Sequence, residues 1–129
     1  MPSLSSPPLC GYRIMVVEDN FLVAESLCDI LTENGCKVIG PVSRLALGLK
    51  LAADATIDGA LLDINLAGEH CFPLANVLLD KGVPIVFLTG YGEGTVIPAG
   101  LGGVPRLSKP FSASSIVSLI REHFRSRAA

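Results

Sequence analysis

Five short apolar runs punctuate the chain: RIMVV (13–17), KVIG (37–40), GALLD (59–63), PIVFL (84–88) and VPRL (104–107). Longer stretches separate them, and most of those carry hydrophobic residues at helical spacing. Short apolar runs alternating with helix-length segments confine the chain to an α/β domain built on a parallel sheet. A length of 129 residues leaves room for one such domain. Half of the residues are hydrophobic and 17% are charged, which is enough apolar material for a covered core and argues against general disorder.

The helices are marked by their ends. Val23, Leu27, Ile30 and Leu31 form an apolar stripe after Asn20, a capping residue, and before Gly35, which suits a left-handed helix terminus. Ser43 is placed to cap a second helix carrying Leu45, Leu49 and Ala52. Cys71, Leu74, Ala75 and Leu78 mark a third that stops near Gly82. Ser112 opens a last helix with Ile116, Leu119, Ile120, His123 and Phe124 along one side. The connection GYGEGTVIPAGLGGV (90–104) breaks the pattern, with six glycines and a proline where a fourth crossover helix belongs. Glycine costs about 1 kcal/mol and proline about 3 kcal/mol relative to alanine inside a helix, so a loop with at most one short turn is expected. Residues 1–12, rich in Ser and Pro, read as a flexible tail before a domain spanning 13–127.

A formal charge of −2 gives no reason to expect nucleic-acid binding. Cys10, Cys28, Cys36 and Cys71 lack zinc-site spacing and read as ordinary thiols. The N-terminus lacks the basic start and apolar core of a secretory signal, and no apolar stretch reaches membrane-spanning length, so a cytoplasmic location is expected.

Ligands of an open parallel sheet bind beyond the carboxyl ends of its strands. Glu18 and Asp19 follow the first strand, Asp63 closes the third, Thr89 follows the fourth, and Lys109 comes just after the fifth. Three acids on one rim repel one another unless a cation compensates, and Mg2+, a hard ion that takes oxygen ligands, fits best. Lys109 and Thr89 supply a compact positive charge and a hydroxyl for phosphoryl oxygens. Taken alone, Asp63 could equally be a strand-end acid capping a turn, Thr89 a β-favouring residue and Lys109 a surface charge.

Taken together, the motifs VVEDN, LLDINL, FLTG and LSKPF resemble, in order, those of the receiver domains of bacterial two-component response regulators. The resemblance implies a flavodoxin-like, doubly wound sheet of five strands in the order 2-1-3-4-5. It makes Asp63 the phosphoacceptor, taking a phosphoryl group from a phosphohistidine on a sensor kinase or a histidine phosphotransfer protein. Asp19 and Asp63 would hold Mg2+ directly and Glu18 through water, with the backbone carbonyl of Asn65 as a further ligand. Thr89 and Lys109 would grip the phosphoryl oxygens, and the Lys109–Pro110 bond would be cis. The resemblance implies no enzyme beyond self-catalysed phosphotransfer. The sequence ends soon after the last helix, so the signal is expected to pass through contacts with a downstream protein.

Two departures stand out. Arg106 occupies the place, three before the lysine, where the family commonly has an aromatic switch, and the glycine-rich segment replaces the fourth helix. FLTGYG is similar to a variant receiver group, many of whose members stand alone and serve stress signalling; there Gly90 would allow close approach to the phosphoryl group and Tyr91 would act as the mobile reporter. Two rival readings use the same scaffold. One is an interaction module independent of phosphorylation. The other is an aspartyl-nucleophile phosphatase, which would need a second acid where Asn65 stands. His70 and His123 are not expected to be site residues.

Overall fold

The computed structural model describes residues 9–90 and 96–124. Strand β1 (Arg13–Val17) leads to helix α1 (Phe21–Glu33), β2 (Lys37–Val42), α2 (Leu45–Asp54) and β3 (Gly59–Asp63). Two short strands, β4 (Asn65–Leu66) and β5 (Glu69–His70), precede α3 (Phe72–Asp80). Then come β6 (Ile85–Thr89), a 3-10 turn at Ala99–Leu101, β7 (Arg106–Ser108) and α4 (Ala113–His123). The main sheet is parallel with the order β2-β1-β3-β6-β7. Once the antiparallel β4–β5 hairpin is set aside, that is the expected order 2-1-3-4-5.

Alternation along the strands divides the core in two. Met15, Val17, Ala60, Leu62, Ile85 and Phe87 pack with Ala52 of α2 and with Leu74, Ala75 and Leu78 of α3. Ile14, Val16, Leu61, Val86 and Leu88 face the other way, against Leu27 and Leu31 of α1 and Ile116 and Ile120 of α4. Helices thus cover both faces, which is why β3 is buried along its whole length. No helix among the described residues is long and apolar enough to cross a membrane.

Local signals explain most boundaries. Asn20 accepts the Val23 N–H at 3.1 Å, Gly35 has φ of 90°, and Ser112 forms a capping box with Ser115. The glycine-rich connection holds, among its described residues, the 3-10 turn at Ala99–Leu101, and Leu101 sends its side chain into the α2–α3 core in place of a helical stripe.

Other expectations need correction. Ser43 does not cap α2; Arg44 stands at that position without a side-chain hydrogen bond. His123 is off the apolar stripe and lies 3.5 Å from Glu122 with its side chain 35% exposed, because Ile116, Ile120 and Phe124 fill the core-facing positions. The last sheet strand begins at Arg106 rather than Val104, and β2 continues through Gly40 and Pro41 to Val42. There β2 carries an extra residue opposite β1, and Gly40 takes φ of 106°. The packed chain also starts before Arg13: Leu9 is fully buried beside α1 and α4, and its N–H donates to the Asn34 carbonyl. Residues 1–8, Tyr91, Arg125 and Arg127 lie outside the described residues.

Gly59 opens β3 beneath the buried ring of Phe124, where a Cβ would stand 2.2 Å from the ring. Gly59→Ala is therefore expected to lower stability to urea by about 2 kcal/mol through overpacking. Combined with Phe124→Leu, it should cost less than the two single losses added together, since the smaller side chain makes room for the methyl.

Candidate functional site

Parallel pairing brings the carboxyl ends of β1, β3, β6 and β7 to one edge. Val17 lies opposite Leu62, Asp63 opposite Leu88, and Thr89 opposite Ser108. Backbone bonds carry the ladder one step further: Glu18 N–H donates to the Val42 carbonyl at 3.0 Å and Lys109 N–H to the Thr89 carbonyl at 2.8 Å. The side chains of the adjoining residues therefore leave the sheet from fixed positions.

Glu18, Asp19 and Asp63 each bring a carboxylate oxygen to within 4.8 Å of the others'. Glu18 is 2% exposed and Asp63 4%, whereas Asp19 opens to solvent. Lys109 Nζ stands 2.8 Å from Glu18 Oε1 and 3.2 Å from Asp63 Oδ2, and the Lys109–Pro110 bond is cis. Each acid also accepts a backbone amide: Asn20 N–H on Glu18 Oε2 at 3.1 Å, Asn65 N–H on Asp63 Oδ1 at 3.3 Å, and Ala67 N–H on Asp19 Oδ2 at 3.1 Å.

Asp63, Glu18, Asp19 and Lys109 are thus brought together as the sequence pattern requires. Thr89 is on the same rim, and its hydroxyl lies 3.5 Å from that of Ser108 rather than against the acids. Asn65 reaches the site through its N–H. Arg106 is exposed on β7, opposite Phe87. The sequence reading missed the amide of Ala67, although the Ala67-Gly68 step between two strand-like pairs is the length of a two-residue hairpin turn.

Burial, reinforced by the hydrogen bond and charge of Glu18, pushes the Asp63 carboxyl up to about 8 against the opposing pull of Lys109. Burial pulls the Lys109 ammonium down, but Glu18 and Asp63 together outweigh it and hold its pKa above the ordinary lysine value. Glu18 and Asp63 therefore share one ammonium, with the Asp19 carboxylate close by, and the cluster is short of positive charge. A divalent cation supplies what is missing. Oxygens on opposite sides of Mg2+ stand about 4 Å apart, so a cluster of this span needs little adjustment to take it. The donor set fits the ion.

The response regulator receiver domain family matches residues 14–121. The chain is 33% identical to SdrG from Sphingomonas melonis Fr1, with a TM-score of 0.77 over 85% of this chain and 93% of that one. It is 27% identical over 114 residues to an uncharacterized transcriptional regulatory protein, YbdJ, of Bacillus subtilis, covering 86% of this chain and 50% of that protein. The curated relatives it matches are thus about twice the length of the matched region. The receiver domain of the sensor histidine kinase PA1611 from Pseudomonas aeruginosa PAO1, which has a magnesium ion coordinated in its active-site cleft, shares the fold. Its identity is 22% and its TM-score 0.76, over 88% of this chain and 97% of that one.

A proton on Asp63 competes with a cation. Mg2+ affinity, followed by calorimetry, is expected to rise about tenfold per pH unit from pH 6 and to level off above 8. The folded-state pKa of Asp63 lies above its unfolded value of 3.8, so its contribution to stability is complete below that value and is lost as pH rises through 8. The metal-free melting temperature should accordingly fall between pH 6 and 9, and saturating Mg2+ should reduce that fall. A Kd independent of pH would contradict this.

Proposed function

This chain belongs to the response regulator receiver domain family, and from that premise we propose that it accepts a phosphoryl group on Asp63 from a phosphohistidine and signals through protein contacts. The donor is a sensor histidine kinase or a histidine phosphotransfer protein. The observation that carries the proposal is the buried Asp63 carboxylate, held 3.2 Å from Lys109 inside a cluster of three acids.

In the transfer, an Asp63 carboxylate oxygen forms the new P–O bond as the P–N bond to the imidazole breaks. The histidine nitrogen keeps the electron pair and is protonated by solvent. Asp19, Asp63 and the Asn65 carbonyl, with Glu18 through water, would hold Mg2+, and the ion would offset the charge on the carboxylates and on the phosphoryl oxygens. Lys109 already lies against the nucleophile and can follow the charge onto a phosphoryl oxygen. The Thr89 hydroxyl, freed from Ser108, donates to another.

An open groove of about 490 Å³ beside the site supports a protein donor. Leu22, Val23, Pro110 and Phe111 line it with Lys109, and Leu22 is 72% exposed. Gly90 borders the same groove. The 3-10 turn, which among the described residues is the one helical element between β6 and β7, together with exposed Arg106, favours a second reading, an interaction module that works without phosphorylation.

Incubation with Mg2+ and a small phosphodonor, followed by intact-mass measurement, separates the two. One phosphoryl adduct is expected on the wild type and none on Asp63→Asn. An unmodified wild type would favour the interaction module.

A further inference from the structure

We propose that the β4–β5 hairpin is a positioning element for the cation site, acting on Asp19 through the backbone amide of Ala67. The proposal rests on the Mg2+ reading given above.

The three acids differ in how they are held. Glu18 and Asp63 are buried and in contact with Lys109, so packing and charge fix their rotamers. Asp19 is exposed, at the start of the loop after β1, and has no such confinement. Its Oδ2 accepts the N–H of Ala67, 48 residues away in sequence, at 3.1 Å. That bond turns the Asp19 carboxylate toward the other two.

The hairpin is suited to hold this amide still. Asn65 pairs with His70 and Leu66 with Glu69, which leaves Ala67 and Gly68 as a two-residue loop. Both have positive φ, 51° and 93°, as a type I′ turn requires. Glycine takes such a conformation freely; alanine does so at a cost in energy, so the surroundings must impose it on Ala67.

Those surroundings are visible. Leu66 is buried in the core, Cys71 N–H donates to the Ile64 carbonyl at 2.9 Å, and Phe72 sits edge-on against Phe87 with ring centroids 5.9 Å apart. The same turn begins at Asn65, whose N–H holds Asp63 Oδ1. One short hairpin therefore donates backbone amides to two of the three acids, and for Asp19 that amide takes the place of burial.

The direct test replaces Ala67 in the full chain with L-lactic acid, which turns that amide into an ester and removes one N–H while keeping the side chain. Mg2+ affinity by calorimetry should weaken about tenfold, as for other supports of a metal ligand, with metal-free melting near that of the wild type. Gly68→Ala provides a second variant. A Cβ there meets no atom within 4 Å, so its effect is confined to the backbone of the turn, and it too should weaken Mg2+ binding. Ala67→Gly keeps the amide and should bind within about twofold of the wild type.

Asp19→Asn separates this proposal from the reading beneath it. If Asp19→Asn loses Mg2+ affinity while the ester and Gly68→Ala bind as the wild type does, the hairpin has no positioning role and the metal site stands. If Asp19→Asn also binds as the wild type does, the metal site itself is wrong, and the hairpin proposal falls with it.

Discussion

Three carboxylates and one ammonium gather at the carboxyl edge of the sheet, and the rest of the molecule is arranged around that imbalance. Glu18 and Asp63 are almost fully buried, so water cannot screen them, and Lys109 neutralises one charge among three. Burial and the neighbouring Glu18 push the Asp63 carboxyl up, toward its protonated form. Positive charge brought to the cluster would act in the opposite direction. The same burial that makes the apo site costly makes added positive charge effective there.

The fold produces this arrangement because a parallel sheet covered on both faces leaves its polar groups to the ends of its strands. Side chains along the strands are committed to one of two apolar layers, and the residues at strand ends are the first able to carry charge. Gly59 shows how tightly those layers close: its missing side chain is the space taken by Phe124. Between β6 and β7, Leu101 of the 3-10 turn joins the α2–α3 layer.

Features that depend on neighbouring residues were legible in the sequence. The caps at Asn20 and Ser112, the left-handed Gly35, the five sheet strands and the convergence of Glu18, Asp19, Asp63 and Lys109 all follow from local chemistry or from strand order. Features that depend on distant packing were not. Leu9 sits in a Ser- and Pro-rich stretch, and its burial is decided by α1 and α4. His123 shares an approximate helical spacing with Ile116 and Ile120, but a rotation of one position puts it in solvent. The β4–β5 hairpin has strands of two residues each, too short for a period to show, and its link to Asp19 spans 48 residues. The contact of Lys109 with Glu18 was likewise hidden, since motif spacing says which residues meet but not which pair first.

The ionisation of Asp63 is the point on which this account turns. Carboxyl carbon NMR, with the Asp63 signal assigned by comparison with Asp63→Asn, reads it directly. Without metal, the signal should titrate with a midpoint near 8, and saturating Mg2+ should move that midpoint well down. A metal-free Asp63 titrating in the ordinary aspartate range, or a midpoint that Mg2+ leaves unmoved, would contradict the account.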